Sequence, residues 1–145
     1  MEAKRVLLPV HGDELDQDSL QLACKLVKES KGKIYVLYVI EVDRRLPLDA
    51  DISSEDAKAE QVIRQMEELG KKYKVEIEGY QISARDAGPA VVQEAVEREV
   101  DAIVVGLHHK RRYGAFSLGK TVPFILKHSP CPVLLLRGKN GATPS

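Results

Sequence analysis

Residues 33–40 read KIYVLYVI, a run in which every position after Lys33 is β-branched, aliphatic or aromatic. A strand with one wet face alternates apolar and polar side chains. One that is apolar throughout is buried on both faces, which is the mark of a parallel sheet covered by helices on either side. The rest of the fold can be read outward from this strand.

Upstream, residues 5–10 (RVLLPV) form a second short apolar run. Between the two runs, residues 16–29 place Leu22 and Leu26 on one helical face and Leu20, Ala23 and Val27 on the adjoining one. Gly32 then breaks the chain. Downstream, residues 41–52 carry Pro47 and several acids and read as a loop. Ser53, with Asp56 three residues on, marks a helix start. Val62, Met66, Leu69 and Tyr73 share one face of that helix, and Gly70 weakens its end. Residues 75–82 (VEIEGYQI) alternate as an edge strand does, with a phase shift at Gly79 that points to a bulge.

A third helix is expected over residues 86–100, with Pro89 in its first turn and Val92, Ala95 and Val96 as its buried stripe. Residues 101–106 (DAIVVG) read as another central strand, and 107–118 as a polar loop. Residues 119–129 follow as a helix with Val122, Ile125 and Leu126 inward. Lys127 and His128 suit the negative end of its dipole. Pro130 and Pro132 bracket the stop before a last strand at 133–136. The alternation predicts an α/β fold, a Rossmann-like three-layer sandwich. Its five-stranded parallel sheet has the order 3-2-1-4-5 and right-handed crossovers.

The chain has 145 residues, the size of one domain; residues 1–137 are assigned to it, and 138–145 (GKNGATPS) to a frayed tail. Lys plus Arg and Asp plus Glu each number 22, so there is no basic surplus to neutralise nucleic-acid phosphates. No nucleic-acid or membrane partner is expected, and the N-terminus lacks signal-peptide architecture, so the cytosol is the default compartment. Cys24 and Cys131 are far apart and outside any CxxC pair, and read as thiols filling core space.

In open parallel sheets ligands bind at the carboxyl ends of the strands, where the strand order reverses. With strand one between strands two and four, that crevice lies between Pro9, Val10 and His11 on one side and Gly106 on the other.

Residues 106–136 (GLHHKRRYGAFSLGKTVPFILKHSPCPVLLL) resemble the C-terminal half of the universal stress protein family, which carries G-x2-G-x9-G-[ST] between the fourth strand and the last helix. Gly106 matches the first glycine and Gly119 the last; residues 127–133 (KHSPCPV) and 6–10 (VLLPV) look like the family's ending and its first strand. The resemblance implies the nucleotide-binding α-hydrolase type of this fold, and a regulatory protein that binds ATP or another adenine nucleotide, with Mg2+ if so, and signals through its bound state. It implies Gly106 against the ribose or phosphate, Gly119, Lys120 and Thr121 on phosphate oxygens, and the backbone of Val39 against adenine. Glycines let the backbone approach, and amides at a helix start point at an anion. Three positions depart from the pattern. His109 stands where the second glycine belongs, His11 where an acid ends strand one, and Lys120 where Ser or Thr follows the last glycine. The alternative is a ligand-free interaction module, a homodimer paired through the apolar edge strand at 132–136, as family members pair.

Residues 114–121 (GAFSLGKT) also satisfy the Walker A spacing, but the run starts well after its strand and no Walker B acid follows, so the match is read as coincidence. A slow ATPase lacks an evident water-positioning base. His108 and His109 are adjacent and do not make a converging metal set, and residues 110–112 (KRR) read as a solvated surface. No GxSxG elbow or GxGxxG loop is present, which argues against a hydrolase or a dinucleotide oxidoreductase.

Overall fold

The computed structural model describes residues 3–50, 53–107, 110–112, 115–117 and 119–137. The elements run β1 (Arg5–Pro9), α1 (Leu15–Val27), β2 (Lys33–Glu41), α2 (Ser53–Tyr73), β3 (Glu76–Ala84), α3 (Ala87–Glu97), β4 (Ala102–Leu107), β5 (Lys110–Arg112), β6 (Ala115–Ser117), α4 (Thr121–His128) and β7 (Val133–Arg137). Five strands form one parallel sheet in the order β3-β2-β1-β4-β7. This is the expected order, with β7 as the fifth strand. The segment expected to be a polar loop contains a small antiparallel ladder, β5 with β6, in which Arg111 and Phe116 are register partners. Strands of three residues are too short to carry a readable period. The proposed tail, 138–145, lies outside the described residues.

The strands bury both faces, as KIYVLYVI requires. Val6, Leu8, Ile34, Val36 and Val104 pack with Leu20, Ala23 and Val27 of α1 and with Ala59, Val62 and Met66 of α2. On the other face Leu7, Leu37, Ile103 and Val105 pack with Val91 and Ala95 of α3 and Val122 and Ile125 of α4. Each of the buried Val, Leu, Ile and Met side chains contributes about 1.5–3 kcal/mol relative to exposure.

The structure corrects three details. Val96 is 56% exposed and Leu126 49% exposed, so neither belongs to its helix's buried stripe. On α3 the inward face is Gly88, Val91 and Ala95, at i, i+3 and i+7, and Val96 lies one position around from it. On the short α4 only Val122 and Ile125 turn inward. Gly79 is not a bulge, because β2 and β3 pair one to one from Lys33–Glu76 to Glu41–Ala84. A Cβ at Gly79 would instead overlap Ile63 Cγ2 of α2, so the break in the alternation is a demand of helix packing.

β3 is the sheet edge, as its alternation predicts. Toward its amino end Lys33 pairs with both Glu76 and Glu78. The Arg98 guanidinium lies 3.6 Å from the centre of the Tyr80 ring, a cation–π contact that covers this part of the face. Both cysteines are free thiols. Burial pushes the Cys24 thiol up to about 11, while Cys131 is only half-buried. Among the described residues no helix is long and apolar enough to cross a membrane, and no group of three metal-ligating side chains converges.

Candidate functional site

The crevice starts from one residue type. β1 pairs with β2 over five residues but with β4 only at Val6–Ala102 and Leu7–Ile103. Val10 donates its N–H to Leu37 O on β2, at 2.9 Å. Successive backbone donors of a strand face opposite neighbours, so the donor missing at Pro9 is the one that would have faced β4. The ladder on that side therefore stops, and the strands part at their carboxyl ends.

The opening is a cavity of about 220 Å3. Its deep wall is apolar: Leu37 and Val39 from β2, Val105 from β4, Val91 from α3, and Val122 and Ile125 from α4. Its mouth is polar, with His11, Glu41, Gly119, Lys120 and Thr121. Pro9, Val10 and Gly106 form the side between the parted strands.

Two glycines shape this geometry. Gly119 holds φ +67, a left-handed conformation that a side chain disfavours, and turns the chain into α4. The N-cap of α4, Lys120, supplies no side-chain cap to the helix start. Gly106 is small for a different reason. A Cβ there would stand 2.9 Å from Leu15 Cδ2 and 3.1 Å from Ser19 Oγ, so the first turn of α1 sits directly on the end of β4.

Behind the cleft, Asp16 is only 3% exposed. Its carboxylate accepts the N–H of His11 at 3.0 Å and of Gly12 at 2.6 Å. These charge-assisted bonds fix the loop that delivers His11 to the mouth. The residue was missed in the sequence, yet a signal was there. Asp16, Leu20, Ala23 and Val27 fall on one helical face, and an acid on an apolar stripe needs a buried partner.

The mouth is charged on both sides. Glu41 Oε2 accepts the N–H of Ala87 at 2.8 Å and so caps the start of α3. Lys120 Nζ donates to Asp86 Oδ1 at 2.7 Å, and Arg44 Nη2 donates to Asp86 Oδ2 at 3.0 Å. The hydrogen bond with Lys120 holds the Asp86 carboxyl below its usual range, and the same bond raises the Lys120 ammonium.

Of the residues singled out in the sequence, Pro9, Val10, His11, Val39, Gly106, Gly119, Lys120 and Thr121 come together on this one cleft. His109, and Gly114 of the Walker-like run, lie outside the described residues. Glu41 ends β2 and does not begin the expected loop, and its role, like those of Asp86 and Arg44, arises between segments distant in the chain.

The model of the universal stress protein family matches residues 2–137. A universal stress protein of Methanocaldococcus jannaschii is 22% identical over 92% of this chain and 82% of its own length. Among solved structures, a universal stress protein from Archaeoglobus fulgidus in complex with dAMP superposes with a TM-score of 0.74 at 15% identity, covering 93% of this chain and 98% of that one. A family protein from Arabidopsis thaliana with AMP bound gives a TM-score of 0.71 at 20% identity, over 98% and 96%. With the family model spanning nearly its whole length, the chain belongs to the universal stress protein family.

Proposed function

We propose that this cleft binds an adenine nucleotide and that the protein regulates through the difference between its bound and free states. The observation that carries the proposal is the meeting of an apolar slot with the start of α4, whose N-cap residue Lys120 makes no side-chain cap bond, at the point where the strand order reverses. The base enters the slot against the backbone of Val39. The ribose lies beside Pro9, Val10, His11 and Gly106. The phosphates meet Gly119, Lys120 and Thr121, where helix amides and an ammonium favour an anion. At about 220 Å3 the cavity is below the roughly 300–1,000 Å3 of clefts that enclose a whole ligand, which leaves the phosphates at the open mouth. AMP and dAMP in the related structures support the ligand class. ATP with Mg2+ belongs to the same class, and Thr121, which lines the cleft, would serve metal or phosphate. His11 and Lys120 take the place of the family's acid and hydroxyl, so neither position adds a negative charge to the mouth. Calorimetric titration of the whole chain with AMP and with ATP plus Mg2+ is expected to show saturable heat at one ligand per chain. The absence of both heat and thermal stabilisation at millimolar ligand would remove the proposal.

A second reading rests on the sheet edge. β7 pairs only with β4 among the described strands, and Leu135 on it is 43% exposed. An apolar edge strand offers backbone donors and acceptors to another strand. We propose a homodimer through β7, compatible with either state of the cleft. Sedimentation is expected to give twice the chain mass, and Leu135→Glu is expected to shift it toward one. A wild-type monomer at working concentration would contradict the dimer.

A further inference from the structure

We infer that Asp86 is a built-in counter-anion for the cleft. It holds Lys120 and Arg44 until ligand phosphates take them, and so makes the site grade its ligands by charge. This rests on the proposed anion-binding role of the cleft and adds a residue that sets its selectivity.

Asp86 occupies the N-cap position of α3 with extended backbone, φ −136 and ψ 136, yet its side chain makes no cap bond. The capping is done by Glu41 on Ala87. Asp86, beside the cleft and next to its lining residue Ala87, is thereby left to meet Lys120 at the start of α4 and Arg44 after β2. The three charges differ in freedom. The Asp86 side chain is 28% exposed, against 76% for Lys120 and 75% for Arg44. The acid is short and anchored beside a helix, while its partners are long stems in water. Exchanging Asp86 for a phosphate therefore needs only a swing of the two cations. Lys120 already lines the cavity, so its ammonium can serve either anion. An exposed ion pair is weak, so the contact does not close the site. It opposes an entering anion by repulsion and by competition for the same donors. A neutral nucleoside meets neither effect.

The test uses inorganic pyrophosphate, adenosine and AMP, titrated into wild type, Asp86→Asn, and Asp86→Asn combined with Lys120→Gln, at low and high salt. Asp86→Asn is expected to tighten pyrophosphate and AMP by roughly tenfold at low salt, with the gain shrinking as salt screens it. Adenosine affinity is expected to stay unchanged, and the double variant to lose the gain. Equal pyrophosphate and AMP affinity in wild type and Asp86→Asn would overturn the inference while leaving the nucleotide proposal standing. So would an equal gain for adenosine. Pyrophosphate showing the gain while adenosine and AMP fail to bind would instead overturn the adenine proposal and keep the counter-anion. No binding of any of the three to any variant would overturn both. Thermal melts check folding, and Asp86→Ser repeats the test should the asparagine variant not fold.

Discussion

Replacing Asp16 with alanine is expected to destabilise the protein by about 3 kcal/mol, the range for removing a buried charged acceptor and stranding its donors. For a domain of this size that corresponds to a fall of about 10 °C in the thermal midpoint. The cause is local. The His11 and Gly12 N–H groups both donate to the carboxylate of Asp16, a residue only 3% exposed, and alanine removes that acceptor. Because the same bonds set the loop at the mouth, nucleotide affinity is expected to fall as well. Asp16→Asn keeps one acceptor oxygen and is expected to cost about half as much. Differential scanning calorimetry of the three proteins checks the order. A midpoint for Asp16→Ala within 2–3 °C of wild type, on the order of 1 kcal/mol, would show that the loop does not depend on this carboxylate.

Gly106→Val is expected to lower stability by about 1–3 kcal/mol through overpacking and to weaken nucleotide binding by at least about tenfold. The branched side chain enters the space of Leu15 and Ser19. Relief requires the first turn of α1 to lift, and that turn carries Asp16. Gly106→Ala meets only the flexible end of Leu15 and a hydroxyl, at 2.9 and 3.1 Å, and is expected to be milder on both counts. Paired melting curves and titrations separate the two effects. A valine variant that binds as wild type does would mean that the β4 end and the α1 turn are not coupled to the cleft.

The fold was legible because its signals are local and repeated. The apolar run of β2, the stripes of α1 and α2, and the alternation of β3 each state which faces are buried, and parallel order follows from the βα alternation. Errors came where a signal was short or had two causes. An eight-residue α4 does not fix its inward edge, and so Leu126 was placed inside. The phase break at Gly79 reads equally as a bulge or as a close helix, and only the packing of Ile63 decides. Of the cleft, the sequence supplies the strand ends and the glycine-bearing turn. It does not supply the cross-loop charges. Asp86, Arg44 and Lys120 are separated by 42 and 34 residues along the chain, and no spacing rule connects them.

The central claim is that an adenine nucleotide occupies the crevice where β1 and β4 part. Backbone amide NMR of the isotopically labelled protein, followed during titration with AMP, tests it directly. The account predicts saturable shifts concentrated at Val39, Gly106, Gly119, Lys120 and Thr121, with little change in the amides of α2. Spectra unchanged at millimolar AMP, or shifts confined to residues away from this crevice, would contradict it.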